Sequence, residues 1–254
     1  MEFPAGGKPL RLVQISDCHL SASVQTPYRG QNAETGLQSL LPAIAAWQPH
    51  LVLATGDLSE DASAASYQRL AHYFRLMDAP VYALPGNHDD DVLMQQYFPD
   101  GPWNGPLITQ AGHWQLVLLK SALAGRIDGV IGQADIQRVE QWLGAGPKRP
   151  VLLALHHQPV SVGSPWIDRH MLAAPGALLQ LLERHDRIRA VVWGHVHQAF
   201  ETRLGRARLL ACPSTAANSR VGTLRFAHDP AGPACRWLQL HARGRIETGL
   251  LYAR

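Results

Sequence analysis

The chain has 254 residues, 46% of them hydrophobic, and a net charge of +3. A chain of this length buries a core large enough to fold without disulfides or a structural metal, and its hydrophobic fraction excludes a disordered protein. The weak positive charge, with no block of Lys or Arg along the sequence, argues against a nucleic-acid-binding protein.

The cysteines and the apolar runs bear on the cellular compartment. Cys18, Cys212 and Cys235 show no C-x-x-C spacing, which favours a reducing compartment over a disulfide framework. Residues 1–9 carry no basic segment followed by an apolar one, so we expect no signal peptide. No run approaches the roughly 18 apolar residues of a membrane span. We expect a cytoplasmic monomer or homodimer with no membrane or nucleic-acid partner.

The first part of the chain alternates strands and helices. Residues 10–16, 50–55 and 80–84 are short apolar runs typical of buried strands. Apolar residues at helical spacing predict one helix over 37–47 and another that begins at Ser63 as N-cap. Pro42 should kink or end the first of these helices. This alternation indicates parallel βαβ units.

The remainder of the chain continues in shorter elements. Residues 114–120, 151–155 and 190–193 read as strands, and residues 136–143 and 178–182 as helices. Short strands are predicted near five further residues: Phe200, Leu209, Leu224, Trp237 and Ile246. No repeat or linker interrupts the chain, so we expect residues 1–254 to form a single domain.

A metal-competent side chain follows each of five predicted strands. These side chains are Asp17 and His19, Asp57, Asn87 and His88, His156 and His157, and His195 and His197. One such Asp alone is as well explained by a helix cap, and one such His by packing. Ligands bind outside the carboxyl ends of parallel strands, however, so five occurrences at the same position predict one shared site.

The chemistry of these donors favours two metal ions. Carboxylate, carboxamide and imidazole ligands suit Mn, Fe or Zn rather than Cu(I) or an iron–sulfur cluster. Two carboxylates, one carboxamide and at least four of the imidazoles give a set of at least seven donors. Seven ligands are too many for one tetrahedral ion and suit two ions that share a bridging carboxylate. A pair of ions ~3.5–4 Å apart can clamp the attacking and leaving oxygens of a displacement at phosphorus.

These motifs, in this order between about residues 10 and 215, resemble the motif series of the calcineurin-like metallophosphoesterases. The resemblance implies an α/β fold, a four-layer α/β/β/α sandwich of two mixed sheets flanked by helices. Residues 54–58, 66–67, 155–159, 164–166 and 212–215 are in addition similar to the cyclic-AMP-hydrolysing branch, the bacterial class III cyclic nucleotide phosphodiesterases.

The resemblance also implies a role for each metal ligand. Asp17, His19 and His197 would hold the first ion. Asn87, His156 and His195 would hold the second, and Asp57 would bridge the two. The cofactor would be two divalent ions, Fe²⁺ or Mn²⁺, although Zn²⁺ or a mixed pair fits the same donors.

Several of the ligands and the residues beside them are expected to act on the substrate. By the resemblance, His88 touches the phosphate and neutralises charge or protonates the leaving oxygen, while Asp89 orients its ring. Five residues are expected to contact the substrate: His19, Asp57, Asn87, His88 and His197. His157 follows His156 in a strand and points to the opposite face, so we expect it to support or pack rather than to ligate.

The resemblance implies hydrolysis of 3′,5′-cyclic AMP to 5′-AMP. A purine would lie against the segments around Tyr67, Trp166 and residues 213–215. Three other phosphodiester substrates remain open: a glycerophosphodiester, a lipid pyrophosphate or nucleic acid. A non-enzymatic interaction module on the same fold would show eroded ligands, and all seven are present.

Overall fold

A computed structural model describes residues 8–253. The strands are, in chain order, β1 (Leu10–Ile15), β2 (Leu51–Thr55), β3 (Val81–Leu84), β4 (Leu107–Ala111), β5 (Trp114–Leu118), β6 (Val151–Ala154), β7 (Ile188–Trp193), β8 (Phe200–Leu204), β9 (Ala207–Ala211), β10 (Ala234–Leu240) and β11 (Ile246–Tyr252). The helices are α1 (Ala33–Trp47), α2 (Ala64–Arg75), α3 (Asp91–Tyr97), α4 (Gln133–Ala145), α5 (Pro165–Asp168) and α6 (Gly176–Arg184).

The strands form two mixed sheets. In the first sheet, of order β11-β10-β1-β2-β3, strands β1 to β3 are parallel and the two C-terminal strands run antiparallel. In the second, of order β4-β5-β6-β7-β9-β8, the parallel strands β5, β6, β7 and β9 lie between two antiparallel edge strands. The predicted parallel βαβ arrangement is confirmed.

The apolar side chains place the sheets in the middle of four layers. The facing sheets bury Leu12 and Leu53 against Leu116 and Leu152. Helix α1 turns the stripe Leu37, Leu40 and Ile44 onto the outer face of the first sheet, together with α2. Helices α4 and α6 cover the outer face of the second sheet. Each fully buried Leu contributes about 1.5–3 kcal/mol, and the predicted four-layer sandwich is confirmed.

Two local predictions are corrected. Of the two outcomes expected at Pro42, an end of the helix is excluded, because α1 continues to Trp47 with Pro42 exposed on its surface. The strand expected near Leu224 is wrong: this residue is 77% exposed in the loop between β9 and β10. Ser63 does cap α2, since its side chain accepts a hydrogen bond from the Ser66 amide.

The parallel strands bring their carboxyl ends to one rim of the sandwich. Strands β1, β2 and β3 of the first sheet end there, as do β6 and β7 of the second. Within residues 8–253 no helix is both long enough and apolar enough to cross a membrane. That residues 1–254 form a single domain stays a prediction. The expectation that residues 1–9 contain no signal peptide falls largely outside the described residues.

Candidate metal centre

The seven predicted ligands converge at the rim where the two sheets meet. Each follows the end of a strand: Asp17 and His19 follow β1, Asp57 follows β2, Asn87 follows β3, His156 follows β6, and His195 and His197 follow β7. Six of the seven are buried and Asn87 is half-buried. Residues separated by up to 180 positions in the chain therefore share one small volume.

Asp17, His19 and His197 form one compact group. Their ligand atoms all lie within 4.8 Å of one another. The His197 Nε2 atom is 3.3 Å from Asp17 Oδ1 and 3.2 Å from His19 Nε2. Two imidazoles and a carboxylate at this separation can hold one metal ion.

Asp57 lies between this group and a second one. Its Oδ2 atom is 3.9 Å from His19 Nε2 on one side and 3.4 Å from His156 Nε2 on the other. Its Oδ1 atom accepts a hydrogen bond of 2.9 Å from the His88 amide, which fixes the carboxylate plane. The Asp57 carboxylate thus has the position that a bridging ligand requires.

His156, His195 and Asn87 line the other side of Asp57. His156 and His195 belong to a group whose ligand atoms lie within 4.8 Å. Within residues 8–253, Asn87 Oδ1 and His156 Nε2 are buried without a hydrogen-bond partner. Buried polar atoms in native proteins are nearly always satisfied, so two unsatisfied atoms here fit the binding of a cation.

His157 belongs to the same group but has its own partners. Its Nδ1 lies 2.9 Å from Ser121 Oγ and its Nε2 3.0 Å from the Ile127 carbonyl oxygen. Both ring nitrogens are therefore engaged by protein groups. This arrangement is that of a supporting residue, and the supporting role of His157 stays a prediction.

The backbone is strained where the ligands project. Five non-glycine residues at the rim have φ in the left-handed region: Asp17 (54°), His19 (46°), Asp57 (50°), His195 (66°) and His197 (50°). Such conformations are uncommon outside glycine and cluster at functional sites. They turn each side chain out of the strand direction and toward the shared centre.

The charges at the centre favour metal binding. Burial acts to raise the pKa of Asp57, but His156 and the other nearby imidazoles outweigh it and hold that pKa well below its usual range. Burial acts to lower the pKa of His156, yet Asp57 raises it to about 9. Burial lowers the pKa of His19, and burial with the charges of His157 and His156 lowers that of His195. The Asp57 carboxylate is therefore ionised, and a divalent cation can replace the proton of His156.

His88 and Asp89 have different surroundings from those expected. The His88 ring is 36% exposed, and its Nδ1 lies 3.3 Å from Glu60 Oε2. The Asp89 carboxylate instead accepts hydrogen bonds from the backbone amides of Leu58, Ser59 and Gly86 and from the Tyr67 hydroxyl. The prediction that Asp89 orients the His88 ring is wrong. Asp89 holds the loop after β2, and Glu60 contacts the ring.

A pocket of about 530 Å³ opens beside the centre. Asp57, Asn87, His88, His195 and His197 reach it, together with the aromatic residues Tyr28, Trp166 and Phe226 and the arginines Arg29, Arg126, Arg169 and Arg225. Tyr28 stacks on His19 with ring centroids 3.8 Å apart, and the Arg29 guanidinium lies 4.2 Å from the Phe226 ring centroid. The pocket thus combines flat apolar walls with positive charge.

Comparison with known proteins identifies the family. A sequence model described as calcineurin-like phosphoesterase matches residues 10–199. The chain belongs to the calcineurin-like phosphoesterase family. The resemblance in the motif series is thereby confirmed, and the four-layer sandwich is the fold that the family implied.

Several relatives match almost the whole chain. The 3′,5′-cyclic adenosine monophosphate phosphodiesterase CpdA of Pseudomonas aeruginosa is 36% identical, covering 97% of this chain and 91% of the relative. CpdA of Escherichia coli is 34% identical over 96% of this chain and 90% of its own. A solved dimetal phosphatase from Danio rerio has a TM-score of 0.70 at 13% identity, covering 97% and 100% of the two chains, and supports the fold alone.

Some site residues of this calcineurin-like phosphoesterase were missed by sequence reasoning. Glu60 lies three residues after Asp57, in the loop between β2 and α2. Phe226 and Arg29 lie in loops, where no periodicity marks them. Of the segments expected to contact a purine, Trp166 lines the pocket, whereas Tyr67 is fully buried and Ser214 lies beneath Asp17, donating to its carbonyl oxygen.

Proposed function

We propose that this protein hydrolyses 3′,5′-cyclic AMP to 5′-AMP at a centre of two divalent metal ions. The observation that carries the substrate assignment is the 36% identity with a CpdA cyclic-AMP phosphodiesterase across nearly the full length of both chains. The buried cluster of carboxylates and imidazoles supports the metal requirement. The proposed reaction adds water to phosphorus and breaks the bond to the ribose 3′ oxygen.

The proposed ligands follow the two groups at the rim. Asp17, His19 and His197 would hold one ion, and Asn87, His156 and His195 the other. Asp57, whose carboxylate lies between the groups, would bridge them. Fe²⁺ or Mn²⁺ suits these nitrogen and oxygen donors, as does Zn²⁺ or a mixed pair. The two ions would supply Lewis acidity, polarising the phosphate and activating a water molecule.

The residues around the ions would position and protonate the substrate. We assign phosphate contacts to His88, Asn87 and His197, which line the pocket. We also assign substrate contacts to Asp57, at the edge of the pocket, and to His19, which does not line it. His88 carries Glu60 against its Nδ1, which orients the ring so that Nε2 is available to the substrate. When the phosphorus–oxygen bond breaks, His88 would donate its proton to the 3′ oxygen.

The pocket offers room for the nucleoside. Trp166 and Phe226 stand edge to face, with ring centroids 5.4 Å apart. Together they form an apolar corner against which a purine can pack. Arg29, held over Phe226, lies beside this corner and can contact the phosphate or the base. The proposed complex therefore has the phosphate at the metals and the base at the aromatic corner.

A second candidate is a more highly charged phosphodiester. Four arginines line the pocket, and cyclic AMP carries one negative charge. Arg126 is neutralised by Asp128, but the remaining cations would also suit a lipid pyrophosphate or a nucleic acid end. A glycerophosphodiester, which like cyclic AMP has one negative charge on its phosphodiester, is a further alternative that the arginines do not favour. We rank this candidate second because a relative matched over nearly its full length is a cyclic-AMP phosphodiesterase.

A turnover panel tests the proposal. The purified protein with added Mn²⁺ should hydrolyse 3′,5′-cyclic AMP with a kcat/KM above those for a glycerophosphodiester and for a linear dinucleotide. Cyclic GMP, 2′,3′-cyclic AMP and bis(4-nitrophenyl) phosphate complete the panel, and the matched control is an Asp57→Asn variant. Faster turnover of a lipid pyrophosphate or an oligonucleotide would overturn the substrate assignment, and equal turnover by the control would overturn the site.

We also propose a cytoplasmic location and a small-molecule substrate as the main partner. Cys18, Cys212 and Cys235 are all buried free thiols, which is consistent with a reducing compartment. Gel filtration with light scattering would decide between the monomer and the homodimer that we expect.

A further inference from the structure

Six arginines that lie apart in the sequence converge on one cleft. This arginine cleft has a volume of about 260 Å³ and is lined by Arg189, Arg203, Arg206, Arg208, Arg243 and Arg245, with Gly244 and Ile246. They come from the start of β7, the β8–β9 hairpin and the β10–β11 hairpin. The sequence contains no block of basic residues, but the fold creates one.

The arginine cleft lies at the opposite end of the sandwich from the metal centre. Arg189 is the second residue of β7, and His195 follows the end of the same strand. Six residues of extended chain separate them by roughly 20 Å. The cleft is therefore a separate location, and its residues have no part in the proposed hydrolysis.

Half of the cleft's positive charge is not neutralised by the protein. Arg206 pairs with Asp186 at 3.1 Å, Arg208 with Glu201 at 2.6 Å, and Arg245 with Glu247 at 2.5 Å. Within residues 8–253, three cleft arginines have no carboxylate oxygen within 4.0 Å: Arg189, Arg203 and Arg243. Like charges gathered in a concave site repel one another, so an anion bound there would be stabilised.

Two of the arginines are held in place before any ligand binds. Arg208 donates to the Ile246 carbonyl oxygen at 2.8 Å and to Glu201, and its side chain is only 16% exposed. Gly244 has φ of 84°, and its missing Cβ would lie 3.1 Å from Arg189 Cγ, so the hairpin backbone packs on the Arg189 side chain. The Arg189 Nε is buried without a partner in the described part of the chain. Arg189 and Arg208 are therefore preorganised by contacts within the protein.

The lining residues indicate the class of anion. Guanidinium groups bind phosphate oxygens through paired hydrogen bonds, and every cation of the cleft is an arginine. Among the described residues, the cleft is lined by no aromatic side chain, so a nucleobase would have nothing to stack on. A concave site of this volume suits a compact anion better than a duplex or a membrane surface. We propose that the arginine cleft binds the oligophosphate group of a small molecule.

Calorimetric titration of the metal-loaded protein with inorganic tripolyphosphate tests this proposal. An Arg203→Gln/Arg243→Gln variant removes two exposed, unpaired guanidinium groups and should weaken the tripolyphosphate Kd by about a hundredfold, about tenfold for each lost charged contact. Wild type and both variants have the same metal centre, so a difference in their tripolyphosphate Kd is due to the arginine cleft. The matched control, Arg75→Gln/Arg138→Gln on α2 and α4, should leave the Kd unchanged.

Further titrations identify which part of a phosphate compound is recognised, and two control measurements test whether the cleft variant is folded. Equal affinity for tripolyphosphate and ATP, with weak binding of orthophosphate, would show that the oligophosphate alone is recognised. Cyclic-AMP turnover and the melting temperature should stay at wild-type values in the cleft variant. An Arg203→Lys/Arg243→Lys variant keeps the charge but not the paired geometry and should fall in between.

Two results would overturn the proposal. One is an unchanged tripolyphosphate Kd in the Arg203→Gln/Arg243→Gln variant. The other is binding of duplex DNA or anionic vesicles that depends on these arginines while tripolyphosphate does not bind to them. In that second case the cleft would be part of a macromolecular surface rather than a small-molecule site.

Discussion

The Glu60 carboxylate lies 3.3 Å from Nδ1 of the His88 ring. The same oxygen lies 2.7 Å from Nδ1 of His19. One carboxylate therefore orients both the proposed proton donor and a proposed metal ligand. In metal sites such supporting contacts set the ring orientation and the basicity of the ligand.

Replacement of Glu60 by Gln should lower kcat for cyclic AMP by about 10- to 100-fold, the usual cost of losing a carboxylate behind a histidine. Gln has the same shape as Glu, so the pocket should be unchanged and the KM for cyclic AMP should change little. Steady-state kinetics and elemental analysis check this. The control Glu183→Gln, on the exposed surface of α6, should behave as wild type. Unchanged kcat in the Glu60 variant would show that neither ring depends on it.

Replacement of His88 by Ala should separate chemistry from metal binding. His88 lines the pocket and shares a metal-competent group only with His19 and Glu60, outside the seven proposed ligands, so both metal ions should remain. Turnover of cyclic AMP should fall ~10²–10⁴-fold, the usual contribution of a positioned acid. The loss should be smaller for bis(4-nitrophenyl) phosphate, whose leaving group needs little protonation. An equal loss for both substrates would mean that His88 stabilises charge instead.

Replacement of Asp57 by Ala should remove more metal and more activity than replacement of Asp17. Asp57 lies within 4 Å of both His19 and His156, whereas Asp17 contacts His197 and the His195 backbone. Elemental analysis of purified protein should therefore give close to two ions per chain for wild type and close to none for Asp57→Ala. Retention of both ions in that variant would place the bridge elsewhere.

Replacement of Gly194 by Ala should disturb the metal centre, because Gly194 packs directly against Ser16 and Asp17. A Cβ there would overlap Ser16 Oγ and Asp17 Oδ2. Gly194→Ala should therefore displace the Asp17 carboxylate, reduce metal content and lower the melting temperature. The control Gly144→Ala lies in α4 with open space around it. It should be neutral or stabilise the protein by up to ~1 kcal/mol. Equal behaviour of the two variants would refute the packing argument.

The two aromatic residues first considered for base binding should behave differently. Trp166→Ala removes one wall of the pocket, so the KM for cyclic AMP should rise several-fold with a smaller change in kcat. Tyr67→Phe removes the bond to Asp89 and leaves the Asp90 amide without its partner. It should reduce the free energy of unfolding by about 1–3 kcal/mol and leave KM unchanged. A raised KM for Tyr67→Phe alone would reverse the assignment.

Much of the centre could be predicted because its ligands are tied to strand ends. Strands such as residues 51–55 are buried and almost wholly apolar, and a metal-competent residue shortly after the end of each strand marks the rim. Parallel pairing then places Asp57 and Asn87 together without any knowledge of side-chain geometry. The family resemblance assigned them to individual ions.

The remainder could not be predicted, because loops follow no periodicity. Phe226 reaches the pocket from a long irregular segment between β9 and β10, in which the strand expected near Leu224 does not form. The choice between Asp89 and Glu60 as the partner of His88 depends on the turn after β2. The arginine cleft depends on the packing of two hairpins from different sheets, which no local pattern in the sequence reports.

The strained backbone at the rim has a consequence for how the protein depends on metal supply. An unfolded chain rarely visits the left-handed conformation that Asp17, Asp57 and His195 all adopt. The ligand arrangement thus exists only in the native state, and ions bound there stabilise that state by mass action. Metal starvation would then act twice, by removing activity and by leaving a protein that unfolds more readily and is degraded sooner.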